Sequence, residues 1–312
     1  MKDNILITGA TGFVGANLAR KLVEENQTVH VITRSTSDHW RIKDIMNKLI
    51  VHDESLDNRI GLARLCKKIN PTIIYHLAAY GSYADQGDID QLLATNVQGT
   101  LNILLATKDL NYRCFINTGS SSEYGVKTKT IKESDSCQPI SFYGLSKLAQ
   151  TNLCQIFASL YHKPIITLRL FSPYGPYERS TRFVPTIIKN LINHEHINLT
   201  AGNIRWDFIY IDDVIEAYIK ASKFSQKYDG AIINIGSGHE YSNDQVVKFL
   251  FKVSGIKTNI SKGSYKSRHW DTSHRQADIR LARKILDWQP HYDLANGLTS
   301  TFKWFKNYYE NR

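Results

Sequence analysis

Long apolar runs are missing from this 312-residue chain, so a membrane-spanning helix is not expected. Cysteine is scarce: Cys66, Cys114, Cys137 and Cys154 stand far apart, with no paired short spacing. That pattern excludes a disulfide framework and argues against zinc, so reduced thiols in a cytoplasmic protein are expected and no metal site. The chain opens on a strand-like run with no leader before it, which also points to the cytoplasm. Internal repeats and low-complexity segments are absent. Basic residues outnumber acidic ones, 39 to 29, giving a net charge of +10, but they are spread rather than run together. Small phosphorylated ligands explain such a bias as well as a polynucleotide does. Neither nucleic acid nor a membrane is expected as a partner. One further absence, an acid after the second strand, bears on the cofactor.

What is present is organised around Ile5-Leu6-Ile7-Thr8-Gly9-Ala10-Thr11-Gly12-Phe13-Val14-Gly15. A short apolar run enters three glycines spaced by three, then residues that are apolar at helical spacing. Strand, glycine turn and helix together form a pyrophosphate cradle, because the helix start offers free N–H groups and a positive dipole end. Further strands are read at Thr28–Thr33, Leu49–His52, Ile73–Ala79, Arg113–Thr118, Ile165–Leu170 and Ile232–Gly236, with helices between. This alternation predicts an α/β protein: a Rossmann-type, doubly wound parallel sheet of about seven strands with a smaller C-terminal substrate-binding lobe. Residues 1–171 are expected to form the dinucleotide-binding domain, with 205–235 returning to the sheet. Residues 172–204 and 236–312 are expected to form the lobe.

Tyr143 and Lys147 are four apart on a predicted helix, Phe142–Tyr161, and share a face. An ammonium beside a phenol stabilises phenolate, and a phenol so tuned exchanges protons with a carbonyl or alcohol oxygen. Serines at the end of the preceding strand are placed to bind the same oxygen. The dinucleotide fingerprint usually has an acid about 20 residues past its glycines, for the ribose 2′-OH. Here Thr33 and Arg34 stand there, followed by Ser35. An arginine with neighbouring hydroxyls suits a 2′-phosphate, so NADP is expected over NAD. Asp53, at the end of the third strand, is placed to meet the adenine.

Taken together, Thr8 to Gly15, His76-Leu77-Ala78-Ala79, Asn96, the loop Ser120-Ser121-Ser122-Glu123, Tyr143-Gly144-Leu145-Ser146-Lys147, Arg169-Leu170-Phe171, Asp207 to Val214 and Trp288-Gln289-Pro290 resemble the extended short-chain dehydrogenase/reductase family. The similarity covers nearly the whole chain, and members that modify nucleotide-sugars are the nearest in pattern. The resemblance implies that Tyr143 is the general acid/base and that Lys147 holds the nicotinamide ribose. It implies cofactor contacts at Gly9, Thr11, Gly12, Phe13, Val14, Gly15, Leu77, Ala78, Ala79, Asn96 and Pro173, and substrate contacts at Tyr80, Ser82, Ser122, Glu123, Ser172, Arg205 and Arg268. The catalytic serine is Ser120 by one count of the loop and Ser121 by another, the latter being favoured. A homodimer through the helices at Leu92–Asp109 and Phe142–Tyr161 is also implied.

Three departures matter. Ser122-Glu123 stands where dehydratases carry an Asp-Glu pair; Ser172 replaces an asparagine; and Trp206 replaces a diphosphate-binding arginine, with Arg205 beside it. The expected function is therefore an NADP-dependent reductase of the 4-keto group of a nucleoside-diphosphate 4-keto-6-deoxy sugar. The alternative is an NAD-dependent 4-epimerase or a 4,6-dehydratase.

Overall fold

A computed structural model describes residues 3–83, 85–201, 203–223, 230–265 and 272–311. The strands in chain order are β1 (Asn4–Thr8), β2 (Thr28–Thr33), β3 (Ile50–Asp53), β4 (Ile73–His76), β5 (Cys114–Ser120), β6 (Ile165–Leu170), β7 (Ser172–Tyr174), β8 (Ile197–Thr200), β9 (Arg205–Trp206), β10 (Phe208–Tyr210), β11 (Ala231–Ile235), β12 (Tyr241–Ser242) and β13 (Ile260–Tyr265). Seven of them form one parallel sheet in the order β11-β6-β5-β4-β1-β2-β3. The other six pair off beyond its carboxyl edge: β7 with β10, β9 with β12 and β8 with β13.

Ten helices cover the sheet and the added strands among the described residues: α1 (Phe13–Glu24), α2 (Arg59–Ile69), α3 (Ile89–Leu93), α4 (Gly99–Thr107), α5 (Phe142–Tyr161), α6 (Phe183–Ile192), α7 (Ile211–Ala221), α8 (Asn243–Ser254), α9 (Arg280–Leu286) and α10 (Leu294–Glu310). None of the described helices is long and apolar enough to cross a membrane. The central strands bury both faces, as a doubly covered parallel sheet requires; β4 and β6 are buried throughout.

The chain reversal lies between β3 and β4, with α2 crossing from the edge strand back to the centre. This puts β1 and β4 side by side and opens a crevice beyond their carboxyl ends. One apolar core joins Ile5, Ile7 and Val31 of the sheet to Ile187 of α6, Leu250 of α8 and Leu298 of α10. A second, under the opposite face, packs α2, α4 and α5 on Leu6, Ile74 and Phe115. β5 runs two residues further than the sequence suggests and ends on Gly119 and Ser120. β4 stops at His76, three residues short of the expected end, so Leu77, Ala78 and Ala79 form the loop lining it. Between α3 and α4 the helix widens into a π turn at Ala94–Gln98, which holds Asn96.

Candidate active site

The glycine turn is shaped by what it leaves out. Gly9 has φ +78°, and a Cβ there would lie 2.5 Å from the Ala78 nitrogen. A Cβ on Gly15 would lie 2.2 Å from the Gly9 carbonyl oxygen, so glycine is what lets α1 close on the turn. Gly12 caps α1 with no side-chain hydrogen bond, and no acid occupies the first turn. The open N–H groups and the positive helix end therefore face the crevice. Behind the turn, Thr8 Oγ1 meets His76 Nδ1 at 2.7 Å, and His76 Nε2 meets Thr100 Oγ1 at 2.9 Å. Burial pushes His76 down to about 3, so this histidine is a neutral pin between β1, β4 and α4.

The crevice is a cleft of about 900 Å³. Its walls include Gly9, Thr11, Gly12, Arg34, Leu77, Ala78, Ala79 and Tyr80 of the expected set. Phe13, Val14 and Gly15 lie in the first turn of α1, with Phe13 in the core. A cradle that any Cβ would fill, ending on uncapped helix N–H groups, fits the diphosphate of a dinucleotide.

The chemistry-bearing side chains stand where β5 and α5 meet. Ser141 Oγ caps α5 by accepting from the Gly144 nitrogen at 3.0 Å, which fixes the first turn carrying Tyr143. Tyr143 packs beside Gly81, and burial pushes its phenol up to about 12, opposed first by a hydrogen bond with Ser120. Lys147 is 1% exposed and is pushed by burial down to about 8, with Glu123 opposing. Its Nζ donates to Gln150 Oε1 at 2.6 Å; Gln150 Nε2 donates to Asn117 Oδ1 at 2.7 Å, and Asn117 Nδ2 to Thr167 Oγ1 at 3.1 Å. A buried polar chain thus runs from the lysine into the sheet.

Several expectations are corrected by this geometry. Ser121 was favoured as the tyrosine's partner, but the serine that hydrogen-bonds Tyr143 is Ser120; Ser121 is buried in the first residue of a 3₁₀ turn. Strand β5 extends far enough to deliver Ser120 itself. Glu123 is not a substrate contact. It is fully buried, with one oxygen on the Ser120 nitrogen at 2.7 Å and the other on Arg169 Nε at 2.6 Å. Asn96 is not a cofactor contact either. Its amide exchanges 2.8 Å bonds with both backbone groups of Tyr80 and donates to Ser146 Oγ at 2.9 Å, clamping the Leu77–Tyr80 loop to α5.

Asp53 and Ser35 turn to one another rather than to the cleft: the Ser35 nitrogen donates to Asp53 Oδ1 at 2.9 Å. Glu54, Ser55, Leu56 and Asp57 line the cleft in their place. Ser172 and Pro173 sit in β7, paired with Phe208 and Ile209. Ser82 accepts from Arg182 Nη1 at its carbonyl, 3.3 Å away. Ser122 donates its backbone N–H to Ser120 Oγ at 3.2 Å. Arg205 stands 3.8 Å from Glu240. Arg268 lies outside the described residues.

Residues that the sequence did not announce also build the site. Arg275, 4% exposed, lays its guanidinium 4.8 Å from the centre of the Trp206 ring. Arg41, Tyr83, Glu178 and Arg179 line the cleft. The usable signal was the charged pair Glu178-Arg179 directly after the Gly175-Pro176 turn, at the carboxyl end of β7.

Comparison with known proteins agrees with this fold and revises the chemistry. A model of the NAD dependent epimerase/dehydratase family matches residues 5–236. The crystal structure of a UDP-glucuronic acid 4-epimerase from Bacillus cereus, in complex with UDP-glucuronic acid and NAD, superposes with a TM-score of 0.88 and 29% identity, covering 99% of this chain and 100% of that one. An uncharacterized UDP-glucose epimerase, YtcB of Bacillus subtilis (strain 168), is 27% identical over 98% of this chain and 99% of its own. A UDP-glucuronate 4-epimerase of Thermodesulfobacterium geofontis (strain OPF15) is 27% identical over 96% of this chain and 95% of its own.

The expectation of an NADP-dependent 4-ketoreductase is thereby overturned: these relatives are named as UDP-sugar epimerases, two of them 4-epimerases, and the solved complex holds NAD. The structure supplies a physical reason. Arg34 is exposed and shares its end of the cleft with the carboxylates of Asp38, Glu54 and Asp57. Asp57 feels its charge directly. A 2′-phosphate there would meet three acids along with one arginine.

Proposed function

The chain belongs to the NAD dependent epimerase/dehydratase family, within the extended short-chain dehydrogenase/reductase enzymes, and from that premise we propose that it is a 4-epimerase of a UDP-sugar with NAD as its cofactor. NAD, when bound, supplies a reversible hydride acceptor at C4 of the sugar. The cradle from Gly9 to Gly15 would hold its diphosphate, and Lys147 its nicotinamide ribose. Tyr143 would remove the proton from the 4-hydroxyl and return it after the sugar has presented its other face. Ser120 would hold the same oxygen in line with the phenol. Against the burial that pushes the phenol up, the Ser120 hydrogen bond and the Arg182 charge favour the phenolate form of Tyr143.

The observation that carries the reading is the solitary acid/base. Ser120 hydrogen-bonds Tyr143 where β5 and α5 meet, while the one carboxylate of that loop, Glu123, is consumed by Arg169 and the Ser120 backbone. Inversion at C4 needs one acid/base group. Elimination of water needs another near the ring, which argues against the dehydratase alternative.

The relatives' names suggest UDP-glucose or UDP-glucuronic acid as substrate. Incubating the protein with each and following C4 inversion by proton NMR, without added nucleotide, is the test. Appearance of the C4 epimer supports the proposal. Turnover only of a 4-keto sugar, consuming added NADPH, would overturn it. We also propose a homodimer, supported by apolar side chains left exposed on α5 (Phe142, Leu145, Ile156, Leu160) and on α3 (Ile89, Leu93).

A further inference from the structure

The cleft carries, near the glycine turn, a carboxyl group that neither the fold nor the proposed chemistry uses. Glu178 is 5% exposed and lines the cleft together with Thr11, Gly12 and Arg41. Its Oε1 stands 3.5 Å from Arg182 Nε, on a side chain that is 43% exposed. Its Oε2 is buried with no hydrogen-bond partner. Arg41 approaches from the α1 side, but two of its nitrogens are occupied: Nε donates to the Tyr177 carbonyl at 2.7 Å and Nη1 to the Thr11 carbonyl at 3.3 Å. Arg179 is held by Asp85 in two bonds of 2.9 and 2.7 Å and lies over the Tyr83 ring. A buried carboxylate with a bare oxygen is unfavourable. A carboxylic acid in the same place has a hydrogen to donate.

We propose that Glu178, a buried carboxyl in the wall of the cleft, takes up a proton from solvent when the dinucleotide binds, because the acid form leaves no bare charged oxygen beside the added diphosphate. This rests on the dinucleotide reading of the cleft and is independent of which sugar is inverted. Burial pushes Glu178 up to about 7, against the opposing pull of Arg182 and Arg41. It is therefore part-ionised near neutrality before any ligand arrives. The diphosphate adds negative charge to the cleft and raises it further. The groups facing it are the guanidinium side chains of Arg41, Arg179 and Arg182, with Asp85 held ionised by Arg179 and Tyr83 kept neutral by burial. The sign follows: with the bound-state pKa above the free one, affinity is highest below about pH 7 and falls as pH rises beyond it.

Calorimetric titration of NAD into nucleotide-free full-length protein, in two buffers of unequal ionisation heat at about pH 7, measures the proton directly. A substantial fraction of one proton taken up per NAD is expected. Affinity should fall with a limiting slope of about tenfold per pH unit on the alkaline side. Glu178→Gln keeps a donor in place and removes the titration, so its uptake should vanish and its affinity become flat with pH. Uptake that persists unchanged in Glu178→Gln, or that is absent from the wild type, overturns the proposal. Normal uptake in a protein that inverts no UDP-sugar would instead refute the epimerase reading and leave this one supported.

Discussion

The two walls of the cleft are built on different principles. The near wall, Thr8 to Gly15 with Leu77 to Tyr80, is made of consecutive residues at the ends of two adjacent strands, and backbone sterics set its shape. The far wall is assembled from distant pieces. Arg41 reaches Tyr177 across 136 positions, and Arg179 reaches Asp85 across 94. The difference teaches where each kind of information resides. A turn that only glycine fits is written in a dozen residues. A wall held by long-range charge pairs is written in no local stretch at all.

The largest expected effect lies at the seam between the walls. Tyr143→Phe leaves the ring packed beside Gly81 and removes the proton carrier, so kcat should fall about a hundred- to ten-thousand-fold while NAD affinity is retained. Steady-state assays with a cofactor titration check this. Ser120→Ala should lower kcat more than Ser121→Ala, because Ser120 is the tyrosine's partner. If Tyr143→Phe releases NAD as well, the two walls are not independent and the comparison fails.

Next in size is the support beneath the serine loop. Arg169→Met strands the Glu123 carboxylate in the interior, and removing one partner of a buried pair typically costs about 3–5 kcal/mol. Chemical denaturation should show that loss, and adding Glu123→Gln should recover part of it. A loss below about 1 kcal/mol would mean that the pair is not what holds this loop.

Legibility followed the same division. The helix at Phe142–Tyr161 and the strand at Ile165–Leu170 have the limits expected from the sequence, because apolar periodicity and the Ser141 cap specify them locally. The glycine cradle was equally plain. Glu123 was misread because nothing in Ser120-Ser121-Ser122-Glu123 says that an arginine 46 positions later will claim the carboxylate. Asn96 was misread because its partners, the Tyr80 backbone and Ser146, meet it only once the π turn has formed. Arg275 was passed over because its cation–π partner, Trp206, looked like a lost arginine rather than a platform for another.

Gly15→Ala tests the near wall alone. The added methyl would lie 2.2 Å from the Gly9 carbonyl oxygen, so helix and turn must separate. Overpacking of this kind costs about 1–3 kcal/mol, and thermal unfolding should register it. NAD affinity should drop with it, while UDP binding, which the glycine turn does not serve, stays close to wild type. An equal loss of both ligands would show that the walls move as one body.

The smallest effect is expected at Arg34, where the sequence argued most directly for NADP. Its guanidinium is exposed, and charge interactions at exposed positions are screened by salt and worth less than about 1 kcal/mol. Asp38, Glu54 and Asp57 line the same cleft, so acids oppose its field there. The Arg34 backbone nitrogen is bonded to Ser37 Oγ at 3.2 Å, which holds the loop whatever the side chain does. Arg34→Ala should therefore change NAD affinity by no more than about fivefold, the change that 1 kcal/mol makes in binding. NADP should bind more weakly than NAD both before and after the change. Titrating the two nucleotides into wild type and variant by protein fluorescence measures all four affinities. A wild type that prefers NADP, with the preference lost in Arg34→Ala, would show that one exposed arginine outweighs three carboxylates, and the charge argument for NAD would fall with it.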